Sequence, residues 1–410
     1  MKVAYLVSRF PATTETFVLR EFNAVASELE VELHALFPPP EDDIVHPDAQ
    51  RWVDRVQRPG VGESVAALAS WLARRPLRTL GVVGTVMAGH ARRPRVLVRA
   101  LVTVPLAAAH ARRFQRAGVE HVHAHFATYP TLAAWIAHRL AGTSYSFTPH
   151  AHDLFVHQAM LARKAADAAF VVGISEFNRR FLHEHVGAGL DVPIVRYGID
   201  PSRFAFRVRP ENGGEPPTIA CVARLLPYKG HSVLLRALAG AEPPLAGARL
   251  ELVGDGPMRD ELEREAVRLG IGGRVWFHGS VPEPEVAAVL AGADVFALPS
   301  IIAPDGDMEG IPNALIEAMA AGLPAISTYQ SGVPELIEDG RTGFLAQPGD
   351  VDGLRDALIR ALTEADPAAR AHAARAVVEE RFSTERSARR LVELFTAVSA
   401  GAGSSARSAG

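Results

Sequence analysis

Glu309 and Glu317 stand eight positions apart in the stretch DGDMEGIPNALIEAMAAG, from Asp305 to Gly322. The first lies in a Gly/Pro loop and the second in the helix this loop opens. The spacing predicts a helix start near Pro312, since a residue without an N–H loses nothing at the first helical position. The N–H groups of Asn313 and Ala314, with the helix dipole, then make an anion site between two carboxylates. Eight residues span roughly 12 Å if helical, the reach of a sugar, a diphosphate and a ribose together. An arbitrary pair of glutamates is more often a helix-start carboxylate and a solvated side chain. Glu317, however, sits among apolar Ala314, Leu315, Ala318, Met319 and Ala321. A buried carboxylate needs hydrogen-bond donors, and ligand hydroxyls supply them.

A second group with chemical capacity follows the apolar run TIACVA. In RLLPYKGH, Arg224 and Lys229 place two fixed positive charges at a strand end, and Gly230 lets backbone approach closely. A fork and a point charge beside a helix start suit a diphosphate, although surface arginine and lysine are common. In RLELVGDGPM a strand runs into Gly254, Asp255 and Gly256, a Gly-x-Gly turn that is a weak signal alone. RVWFHGSV gives another strand and loop, a plausible wall for a base.

Histidines form the third group. In HVHAHF the residues His121, His123 and His125 alternate and so share one face of a strand, while His150, His152 and Asp153 in TPHAHDLF follow another strand. Imidazole and carboxylate can ligate a metal, and a histidine at a strand end can equally hydrogen-bond a sugar hydroxyl or a developing charge. In SRFPATTETF, Thr13 or Thr14 can cap a helix or face a ligand.

The elements that must position these residues are alternating strands and helices. Candidate strands are Lys2–Val7, Val31–Phe37, Val119–His125, Ser144–Thr148, Ala168–Gly173 and Val192–Arg196 in the first half, then Thr218–Ala223 and Leu250–Val253 in the second. Such alternation predicts α/β architecture with parallel sheets, whose ligands bind beyond the carboxyl ends of strands. A length of 410 residues favours two domains, and the polar Pro/Gly-rich segment from Asp200 to Pro217 marks the boundary. With 48% hydrophobic residues, 22% charged residues and a net charge of −3, general nucleic-acid binding is disfavoured. The single cysteine, Cys221, excludes an internal disulfide or a cysteine zinc site, and reads as core.

No signal peptide and no spanning helix are expected, so the protein is expected to be cytoplasmic, with membrane contact only peripheral. Between Ser64 and Val119 there is no Asp or Glu, yet Arg74, Arg75, Arg78, Arg92, Arg93, Arg95, Arg99, Arg112, Arg113 and Arg116 fall there, interleaved with aliphatics and Trp71. The segment 71–116 fits either a surface for anionic lipid or ordinary helices with arginines on their wet faces.

Taken in order, RLLPYKG, VGDGP, FHGSV, ADVFALPS, EGIPNALIEAMAAGLPAIST and SGVPELIEDGRTGFL resemble the family 4 retaining glycosyltransferases of the GT-B fold. With SRFPATTETFV, HVHAHFA, FTPHAHDLF and DGDMEGIP, the chain resembles the exopolysaccharide branch of colanic acid and amylovoran enzymes. The resemblance implies two Rossmann-like domains facing each other across a cleft. Residues 1–199 would form the acceptor-side domain and 200–383 the donor domain, with a helix over 384–400 crossing back to the first and a disordered tail over 401–410.

It also implies site roles. Arg224 and Lys229 would contact the donor diphosphate, Glu309 the transferred sugar and Glu317 the ribose. Gly254, Gly310, Ile311, Asn313 and Ala314 would complete the donor site, with the base near Gly279 and Val281. His150 would support the transition state, Asp153 would position it or touch the acceptor, and Thr14 and His125 would lie on the acceptor side. The donor would be a UDP- or GDP-sugar and the acceptor a carbohydrate or a lipid-linked saccharide, with no cofactor and no metal.

Two departures from the family pattern matter. Phe10-Pro11-Ala12-Thr13 stands where a glycine pair is usual, and Pro312 where glycine is frequent, so Arg224 and Lys229 would carry more of the phosphate charge. A secondary-metabolite glycosyltransferase, a sugar nucleotide epimerase and a catalytically silent scaffold subunit are the alternatives.

Overall fold

A computed structural model describes residues 1–12, 16–39, 47–208, 216–240 and 242–407, the last seven as backbone alone. The chain divides into two compact units, Met1–Arg196 with Glu385–Gly410, and Tyr197–Thr384.

The first unit is built on four parallel strands, β1 (Lys2–Arg9), β2 (Glu30–Phe37), β3 (His121–His125) and β4 (Ser144–Thr148), in the order β2-β1-β3-β4. The apolar residues of β1 are buried on both faces, as a covered parallel sheet requires. The two further strands expected at 168–173 and 192–196 make only isolated bridges, Phe147 with Val171 and Gly173 with Ile194. Pro193 explains part of this: it accepts from the Gly173 N–H at 2.9 Å but has none of its own to extend a ladder. The helix Thr384–Arg407 buries Ala388, Leu391 and Phe395 in one core with Val3, Tyr5 and Phe170 of this unit. Its backbone continues past Ala400, where a structureless tail was expected; residues 408–410 lie outside the described residues.

The second unit carries six parallel strands, β5 (Thr218–Val222), β6 (Arg249–Val253), β7 (Val275–Gly279), β8 (Val295–Ala297), β9 (Ala325–Thr328) and β10 (Phe344–Ala346), ordered β10-β9-β8-β5-β6-β7. The order reverses between β5 and β8. At such a switch point the loops leave in opposite directions and open a crevice at the strand carboxyl ends. Up to residue 208 the segment before β5 is not an open linker: Ile199 and Phe204 are buried in this unit's core, and the Arg207 N–H donates to the Ala321 carbonyl at 3.1 Å, while 209–215 lie outside the described residues. Cys221 is fully buried in β5, and burial pushes its thiol up to about 12. Among the described residues no helix is long and apolar enough to cross a membrane.

Candidate active site

The loops at the carboxyl edge of the second sheet are seamed together by close backbone approach. Gly230 has φ +75°, and a Cβ there would lie 1.8 Å from the Pro299 carbonyl oxygen. Beside it, the Ile301 N–H donates to the Tyr228 carbonyl at 2.7 Å, tying the loop after β5 to the loop after β8. Gly254, at φ +130°, leaves no room for a Cβ against the Ala223 carbonyl, 2.1 Å away, and its N–H donates to the Gly279 carbonyl at 2.8 Å. The turns that carry Arg224, Lys229, Gly254 and Gly279 are therefore held along one edge, with Val281 two residues beyond β7.

Lys229 Nζ donates to Glu309 Oε2 in direct contact, and each side chain is only 13% exposed. The pair joins the basic loop after β5 to the acidic loop after β8 across the switch point. The Lys229 ammonium also lies 5.3 Å from the centre of the Tyr228 ring. The Tyr228 hydroxyl is held above its ordinary range, by burial first and then by the Glu309 and Asp307 carboxylates. Arg224 is exposed, and Gly310 and Ile311 are buried where the loop descends into the next helix.

That helix is Asn313–Ala320, one residue later than the sequence suggests. Pro312 is its extended cap, with φ −66° and ψ 128°, and its carbonyl accepts the Leu315 N–H at 3.1 Å. Pyrrolidine fixes φ but leaves ψ free, so the ring suits a cap as well as a first turn. The N–H groups of Asn313 and Ala314 are then the first two of the helix, which have no acceptor within it. Glu317, one turn further, is 8% exposed.

Four side chains at this end of the sheet hold buried polar atoms with no hydrogen-bond partner among the described residues: both ring nitrogens of His231, Ser300 Oγ, Asn313 Oδ1 and both amide atoms of Gln330. Burial holds His231 down at about 4, with the Lys229 charge adding to it. Buried polar groups are ordinarily satisfied, and such a cluster beside an ion pair is what a polar ligand would complete. Sequence reading passed over His231, Ser300 and Gln330, although Ser300 ends ADVFALPS just before the glutamate stretch.

In the first unit, β3 and β4 run parallel in a register that sets His121, His123 and His125 against Ser144, Ser146 and Thr148. Ser146 Oγ bridges His121 Nε2 at 2.7 Å and His123 Nδ1 at 2.8 Å, and His123 Nε2 lies 3.0 Å from Thr148 Oγ1. Burial holds His121 down at about 3 and His123 well below the ordinary range. His125 Nδ1 lies 3.3 Å from His150 Nε2, and its Nε2 lies 3.0 Å from Glu21 Oε1.

Glu21, in the helix Thr16–Val25, was not singled out in the sequence. Among the described residues, Glu21, His123 and His125 place ligand atoms close enough for a metal ion, and the same atoms are engaged in the hydrogen bonds just given. Asp153 accepts the Ala127 N–H at 2.6 Å and the His150 N–H at 3.1 Å, so its carboxylate holds the backbone that carries His150. Lys164, also missed, donates through Nζ to the Ala127 carbonyl, and burial lowers its ammonium to about 7. Thr14 lies outside the described residues.

Residues 216–364 match the family Glycosyl transferases group 1. The amylovoran biosynthesis glycosyltransferase AmsK of Erwinia amylovora is 33% identical over 248 residues, 60% of this chain and 60% of that protein. The putative colanic acid biosynthesis glycosyltransferase WcaL of Salmonella typhimurium is 40% identical over 154 residues, 38% of each. The chain thus matches less than two thirds of the length of either relative. The structure of Anabaena Alr3699/HepE in complex with UDP superposes with a TM-score of 0.72 at 19% identity, covering 97% of this chain and 100% of that one. The chain has the GT-B fold, and its residues 216–364 form a group 1 glycosyltransferase domain related to those of the amylovoran and colanic acid enzymes.

Proposed function

We propose that this chain is a retaining glycosyltransferase that moves a sugar from a UDP- or GDP-sugar to an acceptor hydroxyl in the building of an exopolysaccharide or related glycoconjugate. The observation that carries the reading is the Lys229–Glu309 pair at the switch point, next to the first N–H groups of helix Asn313–Ala320. A cation and helix amides are suited to a diphosphate, while the carboxylate beside them is suited to sugar hydroxyls. Glu317, buried one turn along the helix, is assigned to the ribose, and the turns at Gly254, Gly279 and Val281 to the nucleoside.

In the reaction the bond from the anomeric carbon to the diphosphate oxygen breaks and a bond to the acceptor oxygen forms on the same face. The acceptor proton passes to the departing phosphate. Arg224, Lys229 and the helix amides meet the charge that grows on the leaving group, a preorganised electrostatic contribution. His150 is assigned to the charge developing on the sugar, with Asp153 holding its backbone. Lys229→Ala is expected to lower kcat/KM by about 10²–10³-fold, the scale of losing one preorganised charge donor, in a protein that circular dichroism shows to be still folded. Turnover near that of the unaltered protein would remove the diphosphate assignment.

Peripheral membrane contact, suited to a lipid-linked acceptor, is supported by exposed side chains on three helices of the first unit and the turn between two of them. The helices Val61–Arg74, Pro76–His90 and Pro94–Ala117 expose Leu77 (86%), Val98 (62%), Leu80 (58%) and Met87 (48%) alongside exposed Arg74, Arg78, Arg92, Arg95 and Arg99. Apolar side chains flanked by arginines suit an anionic bilayer surface. Trp71 takes no part in this: it is buried, and its indole N–H donates to the Ala108 carbonyl at 3.1 Å.

A further inference from the structure

The geometry points to Glu21 as a positioning residue that fixes the proton placement of His150 through His125. The Tyr5 hydroxyl donates to Glu21 Oε1 at 3.1 Å, and His125 Nε2 lies 3.0 Å from the same oxygen. A carboxylate oxygen that already accepts from a hydroxyl has no hydrogen to give, so the geometry assigns the hydrogen of the His125 ring to Nε2. With that hydrogen on Nε2, Nδ1 is the ring nitrogen left to accept, and it lies 3.3 Å from His150 Nε2. His150 is left with its hydrogen on Nε2 and its lone pair on Nδ1.

The packing makes this arrangement stiff. Tyr5, His125 and His150 are 0%, 0% and 5% exposed. The Tyr5 and His125 rings stack at 5.7 Å between centroids, and the His125 and His150 rings at 5.4 Å. Phe126 and Phe17 close around His150, with ring centroids at 4.3 Å and 4.9 Å. Burial also holds the His150 imidazole well below its ordinary range, so it is neutral at physiological pH and its tautomer decides what it can do. Asp153 holds the backbone of this residue, and Glu21, through His125, sets which of its ring nitrogens donates. The relevance to turnover rests on the assignment of His150 made above, whereas the proton placement does not.

Imidazole 15N NMR of the full chain, with histidine signals assigned by single His→Gln variants, tests the relay directly. The unaltered protein is expected to show both His125 and His150 protonated on Nε2 and bare on Nδ1. Glu21→Leu is expected to shift the His125 hydrogen away from Nε2 and to lower kcat by about 10²-fold with donor KM within threefold. Glu21→Gln, whose amide oxygen can still accept, is expected to keep the tautomers and to lose less. A His150 protonated on Nδ1 in the unaltered protein would overturn the relay, as would unchanged tautomers in Glu21→Leu. The spectrum of the unaltered protein decides the proton placement even if the leucine variant fails to fold. Full turnover in His150→Ala would overturn the catalytic assignment of His150 instead, leaving the proton placement to the spectrum.

Discussion

Replacing Gly230 with alanine tests whether the loop carrying Lys229 must sit against the end of β8. Two costs are separable at this position. The first is conformational: φ is +75°, and an L-residue in the left-handed region costs roughly 1–2 kcal/mol. The second is steric, because the new Cβ would stand 1.8 Å from the Pro299 carbonyl oxygen and has to retreat to the 3.4 Å of ordinary contact. That retreat pulls on the Ile301 N–H bond to the Tyr228 carbonyl, worth about 1 kcal/mol, and moves Lys229 away from Glu309.

Gly240 is the matched control. Its φ is +62°, yet among the described residues nothing lies within 4 Å of a Cβ built there. Gly240→Ala is expected to cost about 1 kcal/mol and Gly230→Ala about 3 kcal/mol. For a domain of this size these correspond to roughly 2–4 °C and 6–12 °C in the melting temperature. Thermal denaturation followed by circular dichroism measures the shifts, and nucleotide-sugar titration of the folded variants measures the site. Donor affinity should fall in Gly230→Ala and hold in Gly240→Ala. Equal melting shifts with donor binding intact in both would refute the claim that the close approach at Pro299 places the lysine.

Acid should destabilise both units through neutral buried histidines. His121 and His231 titrate at about 3 and about 4 in the fold, below the 6.5 of the free side chain, so the unfolded chain takes up their protons first. Their stabilising contribution is complete above pH 6.5 and is lost as pH falls towards about 4 for His231 and about 3 for His121. Each contributes about 1.4 kcal/mol per pH unit within its window. Urea denaturation between pH 7 and pH 5 checks the slope, and His231→Gln should flatten it. Cosedimentation with vesicles should rise with anionic lipid and fall with salt, and replacing Arg92, Arg93, Arg95 and Arg99 by glutamine should weaken it; binding indifferent to lipid charge would rule out the arginine face.

Much of the fold was legible because burial imposes period. Runs such as KVAYLV and TIACVA, each followed by a helical pattern, specify parallel strands in a covered sheet, and the structure has them as β1 and β5. The loops at the carboxyl edge of the second sheet could be read for a related reason: glycines at 230 and 254 stand where backbones approach too closely for a side chain. Tertiary pairing was not legible. Lys229 meets Glu309 across 80 positions and Glu21 meets His125 across 104, and no periodicity encodes such contacts. The alternation of His121, His123 and His125 revealed a shared face, but not that serines and a threonine of β4 would satisfy two of the rings while the third turns to Glu21 and His150. Pro312 moved from first helical residue to cap because its ψ is decided by the loop before it. Apolar period also cannot say that Ile199 and Phe204 pack into a core, since the composition of the segment around them is that of a linker.

The Lys229–Glu309 pair is proposed as the phosphate end of a nucleotide-sugar site. Calorimetric titration of UDP- and GDP-sugars into the unaltered protein and into Lys229→Ala tests it most directly. One of the donors is predicted to bind the unaltered protein at a single site. Loss of a charged hydrogen bond, worth about 1.5–3 kcal/mol, should weaken that binding about 10- to 100-fold in the variant. Equal affinity in the two proteins, or no binding of either donor to the unaltered one, would contradict the account.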